Sequence, residues 1–335
     1  MTDGVEPALG IVTVPRPLPL AAPDGTGRTA AHTVTVPAPA GGVATPDLCH
    51  RPDPEDLFPL RWERTGDQLF HVPVRWPAAH RLFTPGPDGC QDPMLVSETT
   101  RQATMMLAHA AYGVPVGDQF LMWGLGHRIV VPDFTVEAAS GTIDVTVSCS
   151  QVELRARRLV GMRVDLDFRS RGRLLATSFG ILSVTSARVY RRLRGDRPAA
   201  PGTVPPPPSA LPPHQVGRRA SRDVVLAPAG DHPGWRLRVD TAHPTYFARA
   251  NDHVPGMVLI EAARQAACVL APGHRFHAAL MRASFQRYCE LTEPCWILAE
   301  HETSGDEGAV VRVQGLQNGE PVFTVTLGEA AGERG

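Results

Sequence analysis

The chain has 335 residues, 43% of them hydrophobic, and its formal net charge of −1 is balanced without a single lysine, so every fixed cation is an arginine. That length is a prior for two domains of roughly 150 residues each, and the charge balance excludes a broad electrostatic drive toward nucleic acid or an anionic membrane. No run of about 18 apolar residues is present to span a bilayer, and six scattered cysteines without a C-x-x-C pair fit reduced thiols in a cytoplasmic protein better than a disulfide or zinc framework.

In chain order, residues 1–46 are rich in Pro, Gly, Ala and Thr without periodicity and are expected to form a flexible tail with no signal peptide. A long apolar helix follows, with Asp92 as N-cap and Pro93 at the first helical position, ending near Gly113 and Pro115. The segment "MRVDLDFRSRGRLLATSFGILSV" alternates apolar and polar residues on both sides of a turn at Ser170–Gly172, the pattern of a hairpin. The stretch "RPAAPGTVPPPPSALPP" is a proline-rich, semi-rigid spacer. A second apolar helix starts near Pro255 and stops at Pro272 and Gly273. A second hairpin is centred on Asn318-Gly319, the strongest two-residue turn signal. The expected organisation is a tail over 1–46, a first repeat over 47–194, a linker over 195–220 and a second repeat over 221–330.

The halves repeat each other. A shift of 163 positions lays His80 on His243, Phe83 on Tyr246, Met94 on Met257 and Glu98 on Glu261, and then Arg101-Gln102-Ala103 on Arg264-Gln265-Ala266, without a gap. The expected fold class is therefore α+β in two copies, each a long helix wrapped by an antiparallel sheet. Residues three and four apart share a helix face, so Glu261, Arg264 and Gln265 point one way, as do Glu98, Arg101 and Gln102. An unpaired charge on a helix apolar nearly all round costs several kcal/mol, about the figure for a buried ion without a partner, so each Glu is paired or lines a wet cavity. The bland reading is an ion pair that ties each helix into its core. The functional reading is a site, repeated.

The stretch "HPTYFARANDHVPGMVLIEAARQAA" resembles the A-factor biosynthesis (AfsA) family of hotdog-fold enzymes, and the likeness covers about residues 50–330, including "SFQRYCELTEPCWILAE" after the second helix. The resemblance implies tandem hotdog domains forming a pseudo-dimer within one chain. It also implies a β-ketoacyl transfer from an acyl carrier protein thioester to the hydroxyl of dihydroxyacetone phosphate, in γ-butyrolactone signal biosynthesis, with no metal or organic cofactor. In the related hotdog dehydratases an acid and a His act together, which points to Glu261 and His243 as catalytic residues, with Glu98 and His80 their counterparts in the first half. His253, eight residues before Glu261, competes with His243. A general base must reach the hydroxyl; burial would raise a Glu and a neighbouring Arg would oppose it. Amides at Gly256 and Met257 are expected to meet an oxyanion. Arg264 and Arg101 are the first candidates for the phosphate, because a guanidinium is a bidentate cation. Gln265, Gln102, Asp252 and Asn251 complete the candidate substrate-binding set, although the last two read more readily as turn and capping residues. The run "RVYRRLRGDR" is either a solvated strand end or a contact for an acidic carrier protein. His50, His71, His109, His127, His274 and His301 have no partner under the shift and read as ordinary. Two other classes stay open, a hotdog dehydratase or thioesterase and a non-catalytic acyl-ligand sensor, and so does oligomeric state. Neither nucleic acid nor a membrane is an expected partner.

Overall fold

The computed structural model describes residues 40–86, 89–130, 134–197, 204–271, 276–302 and 310–329. The expected tail up to residue 39, the middle of the linker at 198–203, the helix stop at Pro272-Gly273 and His274 lie outside the described residues. The first repeat runs β1 (Gly41–Val43), α1 (Pro46–Cys49), β2 (Arg61–Gly66), β3 (Leu69–Val74), α2 (Met94–Ala110), β4 (Gln119–Ile129), β5 (Ile143–Arg155), β6 (Arg158–Ser170) and β7 (Arg173–Thr185). A short helix, α3 (Ala187–Arg194), leads into the linker. The second repeat runs β8 (Leu226–Pro228), β9 (Trp235–Leu237), α4 (Gly256–Leu270), β10 (Leu280–Phe285), β11 (Trp296–Glu302), β12 (Val310–Gln317) and β13 (Glu320–Gly328).

The expected helices form where the apolar runs placed them. α2 takes its first N–H cap from Asp92, whose Oδ1 accepts from the Met94 amide at 2.9 Å. Leu95, Val96, Ala103, Met106 and Leu107 are buried on it. Its hydroxyls cost little there, because Thr99, Thr100 and Thr104 each donate to the carbonyl four residues back, at 2.6–2.7 Å. α2 packs on β4, β6 and β7, and α4 on β11, β12 and β13.

All thirteen strands belong to one sheet in the order β1-β2-β3-β5-β6-β7-β4-β10-β13-β12-β11-β9-β8. Read outward from the β4/β10 pair, the two halves list corresponding strands: β7 and β13, β6 and β12, β5 and β11, β3 and β9. The sheet is therefore pseudo-symmetric about that antiparallel pair, which is registered with Gly126 opposite Arg282 and His127 opposite Met281. The β12–β13 hairpin turns at Asn318 (φ 52°) and Gly319 (φ 78°), the left-handed pair that a two-residue turn demands. The protein is thus a tandem pair of hotdog domains joined edge to edge within one chain.

Candidate active site

The helix trios are not open to solvent. Glu261 is completely buried, and its carboxylate accepts from five donors. Arg218 gives Nε to Oε1 at 2.7 Å and Nη2 to Oε2 at 2.6 Å. Arg264 gives Nη2 to Oε1 at 2.7 Å and Nε to Oε2 at 3.0 Å, and Gln265 gives Nε2 to Oε1 at 2.6 Å. Glu98 is held the same way by Arg51 (2.7 Å), Arg101 (2.7 and 3.0 Å) and Gln102 (2.7 Å). A carboxylate offers about four lone-pair directions, so both are saturated. Burial pushes the Glu261 carboxyl up, but Arg218 and Arg264 together outweigh it and hold it down at about 2. Burial likewise opposes ionisation of Glu98, and Arg101 and Arg51 hold that carboxyl below the usual range. Both carboxyls are thus lowered by their arginines rather than raised by burial.

The second arginine of each clamp comes from a tight turn well ahead of the long helix of its repeat. α1 ends at His50 in the left-handed region (φ 54°), and Arg51 follows, its amide bonded to the Pro46 carbonyl at 2.9 Å. A one-turn 3-10 helix, Pro213–Val216, ends at Gly217 (φ 65°), and Arg218 follows with its amide on Pro213 at 2.9 Å. This is a second internal repeat, offset by 167 rather than 163: Pro46, Arg51 and Asp56 fall on Pro213, Arg218 and Asp223. It could have been found as P-x-x-x-x-R-x-x-x-x-D. Arg218 sits in the segment expected as linker, yet it is buried in the core.

His80 and His243 belong to the same scaffold. His80 Nδ1 accepts from the amides of Leu82 (3.0 Å) and Phe83 (3.1 Å), which leaves Nε2 to donate to Asp56 at 2.9 Å. His243 repeats this with Thr245, Tyr246 and Asp223, at 3.2, 3.1 and 3.2 Å. Both nitrogens of each ring are engaged. The clamps then cross the pseudo-axis. Arg51 Nη1 donates to the Thr245 carbonyl at 2.5 Å, and Arg218 Nη1 to the Leu82 carbonyl at 2.9 Å. Each repeat's arginine thus locks the other repeat's histidine turn.

A cleft of about 280 Å³ opens between the repeats, walled on one side by His50, Arg51, Arg101 and Met105 and on the other by Arg249–Asn251, His253 and Pro255–Met257, with Phe120 and Met122 from β4. It takes in five of the expected site residues: Arg101, Asn251, His253, Gly256 and Met257. Asp252 stays out of the lining and braces the wall. Its Oδ1 accepts from the Tyr190 hydroxyl at 2.7 Å and pairs with His253 Nδ1 at 2.6 Å, and its Oδ2 accepts from Arg194 at 3.1 Å. Glu98, Glu261, His80, His243, Gln102, Gln265 and Arg264 do not line the cleft. Arg264 is 8% exposed, and its Nη2 is spent on the Val216 carbonyl at 3.0 Å.

Three features of the cleft escaped the sequence. Arg249 reaches it with no hydrogen bond or ion pair to its guanidinium among the described residues. Arg101 Nη1 touches only the Met105 sulfur at 2.9 Å, a weak acceptor that a ligand oxygen would displace. Tyr246 borders the cleft, with its hydroxyl buried and unpartnered. The α4 N-terminus is also open, with no side-chain cap. Its counterpart on α2 is closed by Asp92, whose other oxygen takes Arg218 at 2.8 Å. A cation pair beside free helix amides makes this cleft suited to an anion and a developing oxyanion together.

Two comparisons bear on what such a site serves. The A-factor biosynthesis hotdog domain matches residues 35–186 and again residues 199–329. A 2-oxo-3-(phosphooxy)propyl 3-oxoalkanoate synthase of Streptomyces virginiae is 44% identical over 283 residues, covering 84% of this chain and 96% of that protein. One of the same name from Streptomyces coelicolor is 43% identical over 285 residues, covering 84% and 89%. Among solved structures, an acyl-ACP thioesterase from Bacteroides thetaiotaomicron aligns with a TM-score of 0.47 at 10% identity over 78% of this chain and 97% of that one, too loose a match to carry weight. With both repeats matched and relatives this similar across most of its length, the chain belongs to the A-factor biosynthesis hotdog family.

Proposed function

We propose that the protein is an acyltransferase that esterifies a hydroxyl of dihydroxyacetone phosphate with a 3-oxoacyl group, giving a 2-oxo-3-(phosphooxy)propyl 3-oxoalkanoate. The relatives carry the name of that product. The observation that carries the reading to this chain is the cleft between the repeats, where the unpaired Arg249 and the half-free Arg101 stand beside the open start of α4. A phosphate needs forked cations, and the tetrahedral oxyanion of acyl transfer needs pre-aimed N–H donors. Arg249 and Arg101 take the phosphate, and the Gly256 and Met257 amides take the oxyanion. Phe120, Met122 and Ile260 offer apolar lining for the acyl chain. Glu98, Glu261, His80 and His243 hold the two repeats together and take no part in proton transfer. The site is composite and single, with Arg101 of the first repeat facing Arg249 and the helix-start amides of the second.

The acyl donor in this reading is a carrier-protein thioester. α3 presents Arg188, Arg191 and Arg192 to solvent together with Val189 (48% exposed) and Leu193 (42% exposed). Its other face is pinned beside the cleft wall by Tyr190 and Arg194, the latter bonded to Asp252 and, at 2.7 Å, to Glu290. A basic rim around two apolar side chains complements an acidic helical carrier. The product is an early ester on the way to a γ-butyrolactone-type signal, and the setting is cytoplasmic; among the described residues no helix is long and apolar enough to cross a membrane. Mass spectrometry of purified protein with a 3-oxoacyl carrier thioester and dihydroxyacetone phosphate tests the reading. The phosphorylated ester is expected. Free 3-oxoacid without ester would make the protein a thioesterase instead.

A further inference from the structure

A left-handed backbone position normally goes to glycine, because a Cβ there is strained. The second repeat obeys this at Gly217, while the first places His50 at the equivalent turn (φ 54°). Both turns do the same backbone work, so the imidazole is surplus to it. A side chain kept at a strained position points to a use.

Its hydrogen bonds fix what the ring offers. His109 Nδ1 lies 2.7 Å from the Val114 carbonyl, which can only accept, so that nitrogen carries the hydrogen. Neutral His109 then presents Nε2 as an acceptor, 2.9 Å from His50 Nε2, which must donate. His50 is left with its lone pair on Nδ1, and no hydrogen bond occupies that atom among the described residues. His50 itself lines the cleft beside Arg101 and Arg249.

Resting on the transferase reading above, we propose that His50 is the general base of the acyl transfer, oriented by a His109–Val114 relay. Nδ1 takes the proton as the O–H bond of the acceptor hydroxyl breaks, and the freed electron pair forms the C–O bond at the thioester carbonyl. When the tetrahedral adduct collapses, the C–S bond breaks and the Nδ1 proton passes to the leaving sulfur, giving a thiol and regenerating neutral His50. No oxidant or reductant is needed. While the imidazole is charged, His109 Nε2 accepts from it and the Val114 carbonyl supports His109 in turn, so the positive charge is spread along the relay.

The groups facing His50 couple its basicity to the acceptor. Burial, then the charges of Arg249, Arg101, His109 and Arg51, push the imidazole down to about 3. Asp118, His253 and Tyr246 complete the charged or titratable lining. A phosphate dianion seated on Arg249 and Arg101 cancels much of that cationic field and raises the imidazole, so the base strengthens only once the acceptor is in place.

The test is His50→Gly, a residue the other repeat already uses at this turn. The variant is expected to fold and melt like the wild type and to bind dihydroxyacetone phosphate within a few-fold by calorimetry. Single-turnover ester formation should fall by about 10²–10⁴-fold, the usual worth of a general base. Added imidazole should restore it at least tenfold. Ester formation within a few-fold of wild type, or a loss that imidazole does not restore, overturns the proposal. Wild-type protein run alongside separates the two claims: no ester from the wild type sinks the transferase reading, whereas equal ester from both proteins sinks the role of His50 alone.

Discussion

Arg218 and Glu261 meet through two parallel hydrogen bonds, 2.7 and 2.6 Å, with both side chains out of water. Removing one member of such a pair leaves buried charge uncompensated, at a cost of about 3–5 kcal/mol. Glu261→Gln is therefore expected to lower the urea midpoint strongly, while transfer per folded molecule survives. A variant with a wild-type midpoint and no transfer would return Glu261 to the role of base.

Arg249 and Arg264 should separate cleanly. Arg249→Met removes a charge-assisted contact to the acceptor phosphate worth about 1.5–3 kcal/mol, or roughly 10- to 150-fold in acceptor KM, with little change in melting. Arg264→Lys breaks a buried fork on Glu261 and should lower melting while leaving acceptor KM unchanged. Titration of dihydroxyacetone phosphate at saturating thioester reads both, and the opposite pattern would move the phosphate site to the buried cluster.

Much of the fold was legible because its signals are local. The apolar helices, the Asn318-Gly319 turn and the 163-residue shift each need only a short window of sequence. The clamp was half legible. Glu, Arg and Gln on one helix face could be read from spacing, but Arg51 and Arg218 could not. The stretch from the clamp aspartate to the histidine is 24 residues in the first repeat and 20 in the second, which throws the arginines out of the 163 register. The cleft was the least legible, because His50 and Arg249 stand in it where the two halves differ, and a search for repeats passes over differences. His50 and His109 read as ordinary for the same reason, since neither has a partner under the shift.

Reversing the charge of α3 should act on the donor alone. Arg188→Glu combined with Arg191→Glu and Arg192→Glu is expected to raise KM for the carrier-bound thioester at least tenfold, with most of the effect lost at high salt. KM for a small pantetheine thioester should stay put. Equal effects on both donors would mean that α3 shapes the cleft rather than receiving the carrier.

Stability should fall with acidity in two stages. Burial keeps His127 down to about 4, against an ordinary 6.5, even with its Nε2 donating to the Ala278 carbonyl. A histidine with a depressed folded value stabilises the fold above pH 6.5 and loses that contribution as pH falls toward 4. Glu261, held at about 2 against 4.5, stabilises above 4.5 and loses that contribution on the way down to 2. Melting temperature should slope gently from pH 6.5 to 4.5 and steeply below. His127→Gln should lessen the upper slope, to which the depressed His50 and His109 also contribute, and an unchanged slope would assign it to them.

Two identical subunits meeting along the same antiparallel pair would carry every residue twice, so a change that opens one side would open both. A single chain escapes that symmetry. It keeps His50 where its other half keeps Gly217, Met105 where the other half has Cys268, and a bare helix start at Gly256 where the other is stoppered by Asp92. If the cleft seats the acceptor as proposed, one chain offers one seat, and calorimetry should return a stoichiometry near one. The arms that Arg51 and Arg218 throw across the axis join parts that are already tethered, so dilution cannot pull them apart.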